Sequence, residues 1–407
     1  MTRSVPDSCP GVLRLHDAAD GPLARVRLPG GALRPGQLRA LAAAARDLGD
    51  GHIELTSRGN VQLRRVRDAP ALAARLDAAG LLPAPSHERV RNIVASPLSG
   101  RVGGRSDVHA LVPALDEGLR ARPELAELPG RVLFTLDDGR GDVSGLGGDI
   151  GVHAVARNEY ALLLGGEDTG IRIPGRDAAG VLLAAARAFQ DLRGDRWRLH
   201  EIDDGPARVA ARLGLPATAE PLELDARHDI PIGWFPQADD RVALGAGVPL
   251  GGLPARTAEF VAAVDRPVFL TPWRSLVIAD LDESVADQAV RVLAPQNLIF
   301  DAHSPWLLVT ACAGKPGCAK SHTDIRADVA AAVADGRILP GASSRPGAGL
   351  AAEDAGARGR QHWSGCDRRC GRPRGAVTDI VAEPGGYRVT PPDGAARSST
   401  TTPADSR

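Results

Sequence analysis

From Leu23 to Leu28 apolar and polar side chains come close to alternating, the period of a half-buried strand, and Pro29-Gly30-Gly31 turns the chain out of it. Pro35 to Leu48 then repeats its apolar positions at helical spacing. Two more strand patterns, Gly51 to Leu55 and Val61 to Val66, flank the turn Ser57-Arg58-Gly59-Asn60, and Ala69 to Ala79 reads as a second helix. The same order returns later. A strand pattern at Arg241 to Ala243 runs toward Pro249-Leu250-Gly251-Gly252, followed by a helix over Ala255 to Val264, strands at Val268 to Leu270 and Leu276 to Ile278, and a helix over Ser284 to Leu293. Between the two, Arg91 to Ala95, Arg131 to Leu136, Ile150 to Ala156 and Tyr160 to Leu164 read as strands and Ala178 to Leu192 as an alanine-rich helix. After them, Trp306 to Thr310 reads as a strand and Thr323 to Ala334 as a helix.

Both units carry a Leu-Thr step before an arginine turn, Leu55-Thr56-Ser57-Arg58 and Leu270-Thr271-Pro272-Trp273-Arg274, which points to a divergent duplication. Two unrelated units that share common turn residues would give the same pattern, and the pattern alone leaves that alternative open. Each unit has the strand and helix order of half a ferredoxin-like fold. The expected class is therefore α+β: duplicated ferredoxin-like half-domains at 12–80 and 225–296, and two larger α/β units at 86–215 and 297–390. Residues 391–407, rich in Pro, Ser and Thr, read as a disordered tail.

At 407 residues and 43% hydrophobic content the chain can build several cores. No apolar run approaches the roughly 20 residues of a membrane span, and no apolar stretch follows the first seven residues as an export signal would require. A cytoplasmic protein without a membrane partner is expected. A net charge of −1 argues against nucleic acid as a partner.

Four of the five cysteines stand in two tight pairs, Cys312-x5-Cys318 and Cys366-x3-Cys370. Gly314, Pro316 and Gly317 in the first loop, and Gly365 and Gly371 around the second, let the backbone curl around a compact inorganic core. Lys315, Lys320, Arg368 and Arg369 add positive charge beside it. Four thiolates arriving on such loops suit one iron-sulfur cluster. Structural zinc prefers roughly two to four intervening residues, and disulfides belong to exported chains; both remain open on spacing alone. Cys9 is left over, a thiol in an N-terminal arm.

These cysteine pairs, placed after duplicated half-domains, resemble the sulfite and nitrite reductase superfamily over about Cys9 to Thr390, which implies a sulfite-reductase-like architecture and a 4Fe-4S cluster on Cys312, Cys318, Cys366 and Cys370. Thr56-Ser57-Arg58-Gly59-Asn60-Val61-Gln62 is similar to that superfamily's Thr-Thr-Arg-Gln signature. Arg91-Asn92-Ile93-Val94 is similar to its Arg-Asn-Val segment, whose arginine faces the substrate, and Asp149-Ile150-Gly151 echoes a shorter motif. In the reductases the last cluster cysteine, here Cys370, bridges to sirohaem iron, and two lysines follow a Leu-Pro step to hold the small anion. After Leu128-Pro129 this chain keeps one positive charge, Arg131, but has Leu133 where the second lysine would stand. Cys9-Pro10-Gly11, Arg91 to Leu98, Leu270 to Arg274 and His362-Trp363-Ser364-Gly365-Cys366 resemble the precorrin-3B synthase branch.

That branch implies an oxygen-dependent monooxygenase of cobalamin biosynthesis. It hydroxylates precorrin-3A at a meso carbon and closes a lactone, with O2 as co-substrate and electrons from NAD(P)H. No dinucleotide fingerprint stands at a strand-to-helix turn, which suits delivery by a separate reductase. A polycarboxylate ring asks for an apolar floor and forked cations. Arg58 and Arg91 are expected at the catalytic site, and Arg58, Gln62, Arg91, Arg131 and Arg274 around the substrate. Arg64, Arg65 and Arg101 are equally compatible with solvated surface. The branch also implies a non-haem iron, whose ligands cannot be read from ten scattered histidines, among them His153, His322 and His362. The alternative function is a sirohaem-dependent assimilatory sulfite or nitrite reductase; sirohaem is expected only there. Arg140-Gly141-Asp142 matches an adhesion tripeptide by coincidence.

Overall fold

A computed structural model describes residues 7, 9–224, 230–340 and 359–392. The expected tail from 393 onward lies outside the described residues. The chain divides into two compact units, 1–302 and 303–407.

In the first unit the leading repeat runs β1 (His16–Ala18), β2 (Gly21–Val26), β3 (Ala32–Leu33), α1 (Pro35–Leu48), β4 (His52–Leu55), β5 (Val61–Leu63) and α2 (Ala69–Ala78). Pro35 opens α1, where its missing N–H is no loss, and Gln37 accepts from the Arg34 N–H at 3.1 Å. Leu38, Leu41, Ala42 and Ala45 form the buried stripe of that helix. Asp68 caps α2 by accepting from the Ala71 N–H at 2.9 Å.

The central segment supplies β6 (Ile93–Ala95), α3 (Leu111–Arg120), β7 (Phe134–Asp137), β8 (Ile150–Ala156), β9 (Glu159–Leu164), β10 (Glu167–Pro174), α4 (Gly175–Leu192) and α5 (Gly205–Leu213). Its sheet has the order β10-β9-β8-β7-β6, with β6, β7 and β8 parallel. Phe134, Tyr160 and Phe189 are buried in its core.

The second repeat follows as β11 (Gly233–Pro236), β12 (Val242–Gly247), β13 (Gly252–Pro254), α6 (Ala255–Ala263), β14 (Val268–Leu270), β15 (Ser275–Leu281) and α7 (Glu283–Leu293). The two repeats trade edge strands. The sheets run β1-β2-β5-β4-β13 and β11-β12-β15-β14-β3, so β13 of the second completes the first sheet and β3 of the first completes the second. The glycines at the exchange are reciprocal. Gly31, at φ +67°, leaves no room for a Cβ against the Leu270 carbonyl, and a Cβ on Gly251, at φ +76°, would come 3.1 Å from the Leu55 carbonyl. That reciprocity is what a duplicated unit produces, and it merges both repeats into one apolar core.

The second unit has β16 (Val309–Ala311), α8 (Ile325–Ala334), β17 (Gln361–Ser364), β18 (Thr378–Glu383) and β19 (Gly386–Thr390) in the order β16-β17-β18-β19, with the first three parallel.

Several expected elements shift. Trp306 to Leu308 belong to a 3-10 turn, Pro305–Leu308, opened by its proline, and only Val309–Ala311 pairs as a strand. The strand expected from Arg131 begins at Phe134, because the Val132 N–H closes a turn on Pro129 and the Leu133 N–H goes to Asp149. Helix α3 is unexpected: Pro113 looks like a breaker but stands in its first turn, and Val112, Leu115 and Leu119 face the core. Among the described residues no helix is long and apolar enough to cross a membrane.

Candidate functional site

Strands β16 and β17 run parallel with Ala311 opposite Trp363, so the two cysteine loops leave neighbouring strand ends side by side. The Cys312 N–H donates to the Trp363 carbonyl at 3.0 Å, and the Gly365 N–H donates to the Cys312 Sγ at 3.2 Å. A Cβ on Gly365 would overlap Ser321, so the second loop is pressed against the first. All four cysteines are free thiols. Burial pushes the Cys370 thiol up; Arg368 opposes this, while Cys312, Cys366 and Cys318 add to it, so the four sulfurs lie within one electrostatic neighbourhood. Four thiols carried on two adjacent loops are a donor set that would suit an iron-sulfur cluster. Of the basic residues expected around it, Arg369 instead binds Asp379 at 3.3 Å, which Arg372 also holds at 2.8 Å.

A second constellation lies in the first unit. Arg25 on β2 and Arg27, the residue just past its end, are two apart and alternate with the core residues Ala24 and Val26. Gln62, paired with Arg25 across β2 and β5, accepts from the Arg25 Nε at 3.0 Å and donates to Glu54 at 3.2 Å. Arg58 leaves the turn after β4, where the Thr56 hydroxyl accepts from the Asn60 N–H at 3.2 Å, and its Nη1 donates to the Gly130 carbonyl at 3.4 Å. Asn60 receives the Leu28 N–H at 2.8 Å and donates to Asn92 at 3.1 Å, while Asn92 donates to Gly130 at 3.0 Å. These amides lock the arginine turn, β2 and the 129–131 loop together.

Arg27 is 2% exposed; its Nε and Nη2 donate to the Arg89 and Pro10 carbonyls, and its Nη1 has no partner among the described residues. Desolvation pushes Arg27 down to about 9 and Arg58 to about 10, and lowers Arg25, with neighbouring guanidiniums adding to the first two. The side chains stay charged at neutral pH; the shift comes chiefly from their burial, which nearby acids offset only in part.

The other expected binding residues are placed differently. Arg91 is buried and forks onto Asp116 of α3 at 2.6 and 3.0 Å, an internal anchor. Arg131 lies over the Trp197 ring at 4.7 Å. Arg274 occupies the equivalent turn of the second repeat at φ +55°, its methylenes against Gly251. Arg64 and Arg101 close forks on Asp20 and Asp280. Asp149, from the short motif, receives the Leu133 N–H and Arg198, whose charge in turn lowers Arg58. Sequence reasoning missed Arg25 and Arg27; the signal was an arginine pair two apart in a strand that runs into Pro29-Gly30-Gly31.

Asp137, Asp138 and Asp142 converge, buried, at the end of β7. Asp137 already accepts four backbone N–H groups, from Gly139, Gly141, Val143 and Ser144. His153 contacts Ser144 at 3.0 Å and Asp137 at 3.4 Å, and burial lowers it despite that carboxylate. His362 is buried in β17 beside Thr310 at 2.9 Å. No group of two histidines and a carboxylate gathers for a mononuclear iron among the described residues.

Residues 16–79 match the nitrite/sulfite reductase ferredoxin-like half domain, and the class this defines is a fold built on such half domains. The structure of the Mycobacterium tuberculosis NirA protein superposes with a TM-score of 0.73 at 21% identity, covering 90% of this chain and 73% of that one. Within the class, the chain is similar to a precorrin-3B synthase of Sinorhizobium, 25% identical over 400 residues, 93% of this chain and 81% of that protein. A ferredoxin--nitrite reductase of Synechococcus elongatus is 36% identical over 127 residues, 29% of this chain and 25% of the relative.

Proposed function

We propose that this chain is a precorrin-3B synthase-like monooxygenase of corrin biosynthesis, acting on precorrin-3A with O2 and electrons derived from NAD(P)H. Similarity to a precorrin-3B synthase along 93% of the chain supports the pathway, and the observation that carries the substrate class is the desolvated arginine cluster with its unpartnered Arg27 Nη1. Buried guanidiniums whose charge costs desolvation are complementary to a ligand bearing several carboxylates. Gln62 orients Arg25, and the Asn60 and Asn92 amides hold Arg58, so the forks stand ready before substrate arrives.

Leu133, where the resembled reductases carry a lysine, is buried with Val94 and Val143, with Leu146 and Trp273 against them, so that position offers no charge to a small anion. Cys312, Cys318, Cys366 and Cys370 would hold the 4Fe-4S cluster, which when bound supplies single electrons. No step is assigned to a mononuclear iron, because the residues at hand do not form its ligand set.

The test is turnover. Protein purified without air, with a reduced electron donor and labelled O2, is expected to place one labelled oxygen in precorrin-3A and to lack an intense sirohaem Soret band. Nitrite- or sulfite-dependent oxidation of a reduced dye, together with that band, would assign the chain to the reductases.

A further inference from the structure

Residues 9–13, with Asp7, lie against the arginine cluster and are held at two places in different ways. At the far end, the Glu88 carboxylate accepts the Val12 N–H at 2.5 Å and the Leu13 N–H at 3.1 Å, a Cβ on Gly11 would overlap that carboxylate, and the Arg25 N–H donates to the Gly11 carbonyl at 3.0 Å. Those contacts bury an acid against backbone N–H groups and tie residues 11–13 to the fold. At the near end, Arg27 Nη2 donates to the Pro10 carbonyl and Asp7 clasps two backbone N–H groups with its carboxylate. Its Oδ2 accepts the Gly130 N–H at 2.5 Å, its Oδ1 accepts the Cys9 N–H at 3.0 Å, and its carbonyl takes Arg89 Nη1 at 3.3 Å.

The peptide that Asp7 grips is the one the cluster uses. The Gly130 carbonyl receives Arg58 and Asn92, while the Gly130 N–H faces Asp7. Asp7 also supports the charge of Arg25, with Cys9 beside it acting on Arg25, Arg27 and Arg58 alike. Gly130 must be glycine for this to happen: a Cβ there would lie 2.9 Å from the Cys9 Cβ and 3.1 Å from Asp7 Oδ2. A carboxylate held by two backbone N–H groups in the field of the desolvated Arg25 is in the position a ligand carboxylate would take.

We propose that the Gly130 N–H and the neighbouring arginines form a carboxylate subsite which Asp7 fills in the free protein, and that a substrate carboxylate displaces Asp7 from it. The inference rests on the carboxylate-ligand reading above. Asp7 is then an internal competitor: it screens the cluster against small anions and yields to a ligand that offers several carboxylates at once.

The probe is uroporphyrin, an octacarboxylate tetrapyrrole, titrated into the full-length protein and Asp7→Asn. Binding at least about fivefold tighter in Asp7→Asn is expected; equal or weaker binding overturns the proposal. A second measurement needs no variant. Iodoacetamide labelling of Cys9 in the unaltered protein should quicken several-fold when uroporphyrin is added, and labelling that slows or stays constant overturns the displacement. Binding without either effect defeats this inference and leaves the carboxylate reading standing, whereas failure of uroporphyrin to bind either protein defeats both.

Discussion

Asp142 shows how far burial can move one group. It sits at the end of β7 with its carboxylate on the Ser96 hydroxyl at 2.6 Å, and burial, reinforced by Asp137, pushes it up to about 7 from 3.8. A raised acid means that the native state holds more protons than the unfolded one between those values, so its contribution to stability falls as pH rises from about 4 to about 7. Asp142→Asn should flatten that decline: urea midpoints compared at pH 5 and pH 8 should differ less in the variant, and an unchanged difference would place the effect elsewhere. The same side-chain logic explains which site residues were legible. Arg58 could be read from a turn of distinctive residues. Arg25 and Arg27 could not, since arginines two apart in a strand look like its solvent face until Gln62, Arg58 and the chain start close over them. Arg91 had the right neighbours in sequence, but its partner Asp116 rides on α3, which Pro113 concealed.

At the level of elements, the exchange of β3 and β13 makes two glycines indispensable. Gly31→Ala adds a Cβ to a residue at φ +67° and drives it into the Leu270 carbonyl, which should cost roughly 2–5 kcal/mol. Gly36→Ala, in the first turn of α1 with nothing within 4 Å, should instead stabilise by about 0.5–1 kcal/mol. Denaturant unfolding of the pair tests the exchange, and equal effects would contradict it. Helices α1, α2 and α6 and the strands β2, β4, β5, β12, β14 and β15 were readable because their periods and their turns are well marked. The strand exchange was not, since pairing partners about two hundred residues or more apart leave no local trace, and the strands that trade are only two or three residues long. The β18–β19 hairpin escaped for a similar reason, lying in a short alternating run after the cysteines.

Across the whole molecule the α+β class and the duplicated half-domains follow from pattern, and the reductase-like architecture from pattern and resemblance together. What pattern could not supply is the chemistry of a metal centre, because sulfur spacing constrains a loop without stating what the loop encloses. The parallel pairing of β16 with β17 narrows this by bringing both loops to adjacent strand ends. Iron and acid-labile sulfide measured together on protein purified without air decide the matter. One cubane cluster on Cys312, Cys318, Cys366 and Cys370 predicts about four of each per chain, falling sharply in Cys366→Ser and preserved in Cys9→Ser. A chain that carries zinc and no sulfide, or that keeps its full iron in Cys366→Ser, would contradict it.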